Sequence, residues 1–78
     1  MKRLQLYTRQ GCHLCEEMHE ALERLAPQLG LQVEVIDVDA SAAAQAYSDW
    51  VPVLVGNGEV ICYGRLDESA LWDSLGDE

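Results

Sequence analysis

At 78 residues, 49% of them hydrophobic, the chain holds enough apolar material for one core and one domain, 1–78, and is too short for two. Five basic residues against fourteen acidic ones give a net charge of -9, which repels phosphate backbones and anionic lipid and removes nucleic acid and membrane surfaces from the expected partners. Three cysteines are too few for the disulfide framework of a small secreted protein and point to chemistry more than scaffolding.

Arg3 to Thr8 alternates, with Leu4 and Leu6 on one side and Gln5 between them, which is the period of a strand. Met1 to Tyr7 carries two basic residues but no apolar run behind them, and no later stretch approaches the roughly 18 apolar residues of a membrane helix, so cytoplasmic residence is expected; a monomer is expected separately. From Leu14 the period changes. Leu14, Met18, Ala21, Leu22, Leu25 and Leu29 form one stripe, and Glu16, Glu17, Glu20, Glu23 and Arg24 take the other face of an amphipathic helix. Pro27 and Gly30 predict that this helix ends or kinks near Ala26. Leu31 to Val38, with Val33, Val35, Ile36 and Val38, reads as a strand apolar on both faces and covered by helices on each side.

Ser41 is placed to cap a short helix over Ala42 to Tyr47, which depends on packing for its stability. Val53 to Val55 and Glu59 to Tyr63 flank Gly56, Asn57 and Gly58, a hairpin signal. Asp67 caps a last helix, with Leu66 and Leu71 as a hydrophobic staple, Trp72 and Leu75 continuing its apolar stripe, and Gly76 ending it before a frayed Asp77 and Glu78. The order is βαβαββα.

Cys12 and Cys15 fall where the first strand hands over to the first helix. Cα atoms one helical turn apart lie about 5 to 6 Å from each other, inside the window of about 4.4 to 6.8 Å that a disulfide accepts. Unpaired backbone N–H groups and the positive end of the helix dipole favour a thiolate at Cys12 over one at Cys15, so Cys12 is the expected nucleophile, with a lowered pKa, and Cys15 resolves. Arg9 and a protonated His13 favour that anion, whereas Glu16 and Glu17 oppose it. Pro52, at the head of the third strand, is a candidate cis proline. A cis bond there would turn the Val51 N–H and C=O outward as a platform for an extended peptide.

Tyr7, Thr8, Arg9, the Cys12–Cys15 segment, Val51, Pro52 and the Gly64–Asp67 segment together resemble the glutaredoxin-like branch of the thioredoxin superfamily, over nearly the whole chain. The run Gly11-Cys12-His13-Leu14-Cys15-Glu16-Glu17 is similar to a small bacterial subfamily of that branch. The resemblance implies an α/β thioredoxin fold, a four-stranded mixed sheet flanked by helices, and thiol–disulfide oxidoreductase activity with no bound cofactor. The implied partner is a protein or low-molecular-weight disulfide, with glutathione as co-substrate.

In glutaredoxins that use glutathione, a lysine three residues before the nucleophile meets a carboxylate, and Arg9 stands in its place. Trp50-Val51-Pro52 matches their Thr-Val-Pro, with a bulky ring in place of threonine. Their Gly-Gly-x-Asp-Asp is matched as Tyr63-Gly64-Arg65-Leu66-Asp67, one glycine and one carboxylate short. His13 and Leu14 replace their Pro-Tyr, a pair that tunes redox potential. Cys62 matches no catalytic position and reads as a small buried hydrophobe.

A lone CxxC is also half of a zinc site, but no second pair follows. Copper chaperones carry CxxC between a first strand and first helix, yet their motif has methionine where Gln10 stands, and they end on a strand rather than on a helix after Asp67. Monothiol iron–sulfur glutaredoxins lack a counterpart of Cys15. A redox-inert binding module of the same fold is the remaining alternative.

Overall fold

A computed structural model describes residues 2–75. The expected ends at Gly76, Asp77 and Glu78 lie outside the described residues. Strand β1 (Lys2–Thr8) leads to helix α1 (His13–Leu29), β2 (Leu31–Asp37), a 3-10 segment (Ala43–Tyr47), β3 (Val53–Gly56), β4 (Glu59–Tyr63) and helix α2 (Glu68–Leu75). The sheet order is β2-β1-β3-β4, with β1 and β2 parallel and the other two pairs antiparallel. The expected mixed four-stranded sheet flanked by helices is what forms.

Alternation decides the layers. Leu4 and Leu6 of β1 and Leu54 of β3 point to one face, where they form a single cluster with Met18 and Leu22 of α1 and Leu71 of α2. The other face carries the cross-strand row Tyr7–Val53–Tyr63 and is covered by the 3-10 segment, whose Tyr47 ring meets that of Tyr7 at 4.5 Å. Asn57 and Gly58, both with positive φ, close a two-residue hairpin between Gly56 and Glu59. The register shifts between Leu54↔Cys62 and Val55↔Val60, so Ile61 is an extra residue in β4, a bulge the alternation of β4 had not announced.

Several elements depart from expectation for physical reasons. Helix α1 does not end near Ala26; it runs through Pro27 to Leu29. Proline costs one hydrogen bond in the last turns, but Leu25, Ala26 and Leu29 pack on the core there, and Gly30 ends the helix in left-handed geometry with its N–H donating to Ala26 O. Strand β2 is not enclosed by helices on both faces. It is an edge strand, and Val35 is exposed although it points to the helical side.

The short middle helix is a 3-10 segment too brief to nucleate a full α-helix. Ser41 does not cap it: Ala42 holds the cap position without a side-chain hydrogen bond, and Ser41 contributes only its carbonyl, to Ala44 N–H. Two stripe residues also turn outward. Leu14 is exposed because Cys15, one position on, takes the inward direction, and Trp72 is 52% exposed because Leu71 and Leu75 already fill the inner face of α2.

Leu54, fully buried on a central strand and packed against both helices, is the strictest test of this packing. Leu54→Ala is expected to cost about 2–5 kcal/mol in a urea or thermal unfolding transition. A loss under about 0.5 kcal/mol, the size of an ordinary surface change, would contradict it.

Candidate functional site

The site begins where β1 ends. Cys12 is the N-cap residue of α1, with extended backbone at φ -93° and ψ 106°. An N-cap is usually Ser, Thr, Asp or Asn, whose oxygen accepts an N–H from the first turn. Here sulfur takes that part: the Cys15 N–H donates to Cys12 Sγ at 3.2 Å. The Cys12 N–H donates to Arg9 O, and the Glu16 N–H donates to Cys12 O, so the cysteine is held on both sides by the main chain. The two sulfurs are joined as a disulfide, with Cα atoms 5.2 Å apart. Cys12 is partly exposed and Cys15 only 3% exposed.

Arg9 stands on the loop before Cys12, but its guanidinium is already engaged. Nε donates to Asp39 Oδ2 and Nη2 to Asp39 Oδ1, both at 3.1 Å. The hydrogen bonds and charge of Asp39, with smaller contributions from Asp49 and Asp37, push the Arg9 pKa up. The charge expected to favour a Cys12 anion is therefore largely spent on a neighbouring carboxylate. Sequence spacing did not bring out Asp39, which is 30 residues away. The parallel register that pairs Thr8 with Asp37 supplies the missing link, since it sends both chains past adjacent strand ends. His13 is 82% exposed along its side chain, with Glu17 Oε1 3.7 Å from its Nε2.

The second wall comes from the head of β3. The Val51–Pro52 bond is cis, Pro52 is buried, and the Gly64 N–H donates to Pro52 O at 2.8 Å, tying the end of β4 to the start of β3. A groove lined by Leu14, Glu17, Met18, Gly64, Arg65 and Leu66 brings the first turns of α1 beside Gly64. Asp67 caps α2, its Oδ1 accepting the Ala70 N–H at 3.1 Å. Trp50 packs edge-to-face on Tyr63, with ring centroids 5.2 Å apart, and both rings are more than half exposed. They line an apolar groove of about 340 Å³ with Ala46, Tyr47, Val53 and Val60, so Trp50 belongs to the face under the 3-10 segment. Tyr63 is the partner that sequence reasoning missed.

Among the described residues, no three His, Cys, Asp or Glu side chains gather at a spacing that would hold a metal ion. No helix among them is long and apolar enough to cross a membrane.

This arrangement has counterparts. Residues 3–76 match the family model described as Glutaredoxin-like domain (DUF836). The chain belongs to that family. An uncharacterized protein of Mycobacterium tuberculosis is 32% identical, the match covering 88% of this chain and 77% of that one. Among solved structures, a protein of Nitrosomonas europaea is 36% identical with a TM-score of 0.80, covering 94% of this chain and 89% of that one. A thioredoxin of Halobacterium salinarum is 35% identical with a TM-score of 0.66 over 94% of this chain and 70% of its own. A glutaredoxin of Archaeoglobus fulgidus shares the fold at 22% identity, with a TM-score of 0.65 over 100% of this chain and 89% of that one. The fold is thus that of the thioredoxins, and the bonded Cys12–Cys15 pair gives this glutaredoxin-like domain a redox-type site.

The third cysteine is chemically distinct from that pair. Cys62 is half-buried against the core; burial pushes its thiol pKa up, the Asp67 carboxylate adds to the rise, and a backbone hydrogen bond at Asp67 opposes it. The folded chain therefore favours the neutral thiol. Its contribution to stability is complete below the ordinary thiol pKa and is lost as pH rises toward the raised value. In a Cys12→Ser/Cys15→Ser variant, where Cys62 is the one thiol left, the pH midpoint for alkylation by iodoacetamide is expected above that of a free thiol, about 8.5. A midpoint below it would contradict the burial of Cys62.

Proposed function

We propose that this chain is a dithiol thiol–disulfide oxidoreductase in which Cys12 attacks and Cys15 resolves. One asymmetry carries the reading: Cys12 is partly exposed, with its Sγ at the helix cap accepting the Cys15 N–H, while Cys15 lies buried one turn inside. In the reduced protein a Cys12 thiolate meets that N–H and the positive end of the α1 dipole, both of which stabilise the anion.

The Cys12 thiolate attacks one sulfur of a substrate disulfide and forms a mixed disulfide; the other substrate sulfur leaves as a thiolate and takes up a proton. Cys15, deprotonated, then attacks Cys12 Sγ, closes the Cys12–Cys15 bond and releases the second substrate sulfur. Two electrons pass from the protein dithiol to the substrate, and a thiol or dithiol reductant restores the pair by the same exchange.

We assign substrate contact to His13 and Arg9 beside the cysteines, to Trp50, Val51 and Pro52 at the head of β3, and to Gly64 and Asp67 opposite. The adjacency of Gly64 to both Pro52 and the first turns of α1 supports grouping those three, whereas Trp50 would meet a substrate from the groove under the 3-10 segment. The substrate is a protein or low-molecular-weight disulfide. Glutathione, the thiol suggested by the positions of Arg9, Pro52 and Asp67, would meet a site in which Arg9 is already paired.

With a model disulfide substrate, Cys15→Ser is expected to accumulate a mixed disulfide on Cys12, seen as a mass increase that dithiothreitol removes. Cys12→Ser is expected to lower exchange to the background rate without substrate capture. Alkylation of reduced Cys12 should have a pH midpoint below the ordinary thiol value. Capture on Cys15 in a Cys12→Ser variant, or none on either, would overturn the assignment.

A further inference from the structure

The arrangement around Arg9 bears on which disulfides such a site would accept. Arg9 is tied to the reacting cysteine by its own backbone, through the Cys12 N–H. Its guanidinium reaches a substrate only in competition with Asp39, which takes it side-on through two parallel N–H···O bonds. Asp39 is itself built into place. Val38 N–H donates to Thr8 O at 2.9 Å, pinning this segment beside the end of β1. The Asp39 N–H then donates to Asp37 Oδ1 at 2.9 Å, a local turn that fixes the backbone carrying the carboxylate.

The surroundings reinforce the effect. Asp37 and Asp49 lie near enough to act on the same guanidinium. On the helix side, exposed Glu16 and Glu17 follow the cysteines, and the exposed His13 faces Glu17. Arg65 lies beside the first turns of α1, where it shares a groove with Glu17. An incoming anion thus meets a rim on which Arg9 is matched by Asp39 and the remaining charge is mostly negative.

Resting on the oxidoreductase reading above, we propose that Asp39 is a specificity-determining residue: by occupying Arg9 it turns the site away from anionic thiols such as glutathione and toward polypeptide disulfides flanked by neutral or basic residues. Asp39 touches neither substrate nor cysteine sulfur; it acts through Arg9, as a positioning residue. An exposed ion pair of this kind is weak, so its removal should move affinities by a small factor and not abolish exchange.

The test is single-turnover exchange between pre-reduced protein and three oxidants: a peptide disulfide flanked by lysines, the same peptide flanked by glutamates, and oxidised glutathione. Each oxidant accepts two electrons and leaves the protein as the Cys12–Cys15 disulfide, so no external reductant enters. The wild-type protein is expected to react about three- to tenfold faster with the lysine-flanked peptide than with the other two, the preference shrinking in about 0.5 M salt. Asp39→Asn should speed the glutamate-flanked peptide and glutathione about two- to fivefold while leaving the lysine-flanked peptide no faster. Adding Arg9→Gln should cancel that gain, which a merely structural role for Asp39 would not produce.

Equal rates with all three oxidants, a preference indifferent to salt, or a gain that survives Arg9→Gln would overturn the proposal. Exchange with none of them would instead remove the oxidoreductase reading on which it rests.

Discussion

The cap of α1 is the constraint on which the site depends. A helix begins with backbone N–H groups that have no partner in the preceding turn, and something must accept them. In this chain the acceptor is Cys12 Sγ, which receives the Cys15 N–H while its own backbone stays extended. One arrangement therefore starts the helix, holds the two cysteines one turn apart, and leaves the first partly exposed while burying the second. Replacing Cys12 by a residue that cannot accept that N–H would change helix and chemistry together, because the same atom serves both.

The parallel β1–β2 pairing extends that local order to the rest of the site. Thr8 opposite Asp37 aligns the ends of the two strands, so the loop that carries Arg9 toward Cys12 runs beside the turn that carries Asp39. β3 enters on the other side of β1, with buried Pro52 at its head, and the Gly64 N–H bonds to Pro52 O to fasten β4 against it. The cysteines, the arginine and the cis proline thus gather at one end of the sheet because of strand order, with no long-range side-chain bridge needed to bring them there.

Sequence periodicity revealed most of this architecture, and its failures have identifiable causes. The alternation of Leu4 and Leu6, the stripe through Met18 and Leu22, and the Asn57-Gly58 turn are local signals, and local signals are what a sequence displays. Val35 and Trp72 depart from the periodic pattern because exposure depends on whether a neighbour arrives to cover an apolar residue, which periodicity does not record. Pro27 remained inside its helix because the packing of Leu25 and Leu29 on the core outweighed one lost hydrogen bond. At the site, the cysteine pair was legible from spacing alone. The engagement of Arg9 by Asp39 was not, since it depends on strand register across 30 residues.

The most direct measurement is the redox equilibrium of the Cys12–Cys15 pair in glutathione buffers of graded ratio, each left to equilibrate and then quenched by alkylation for mass analysis. The account predicts a reversible two-electron titration of an intramolecular Cys12–Cys15 bond that leaves Cys62 unchanged and is lost in both Cys12→Ser and Cys15→Ser, with Cys15→Ser forming only a glutathione adduct on Cys12. A pair that stays bonded at every ratio, or a Cys15→Ser variant that takes up no glutathione on Cys12, would contradict it.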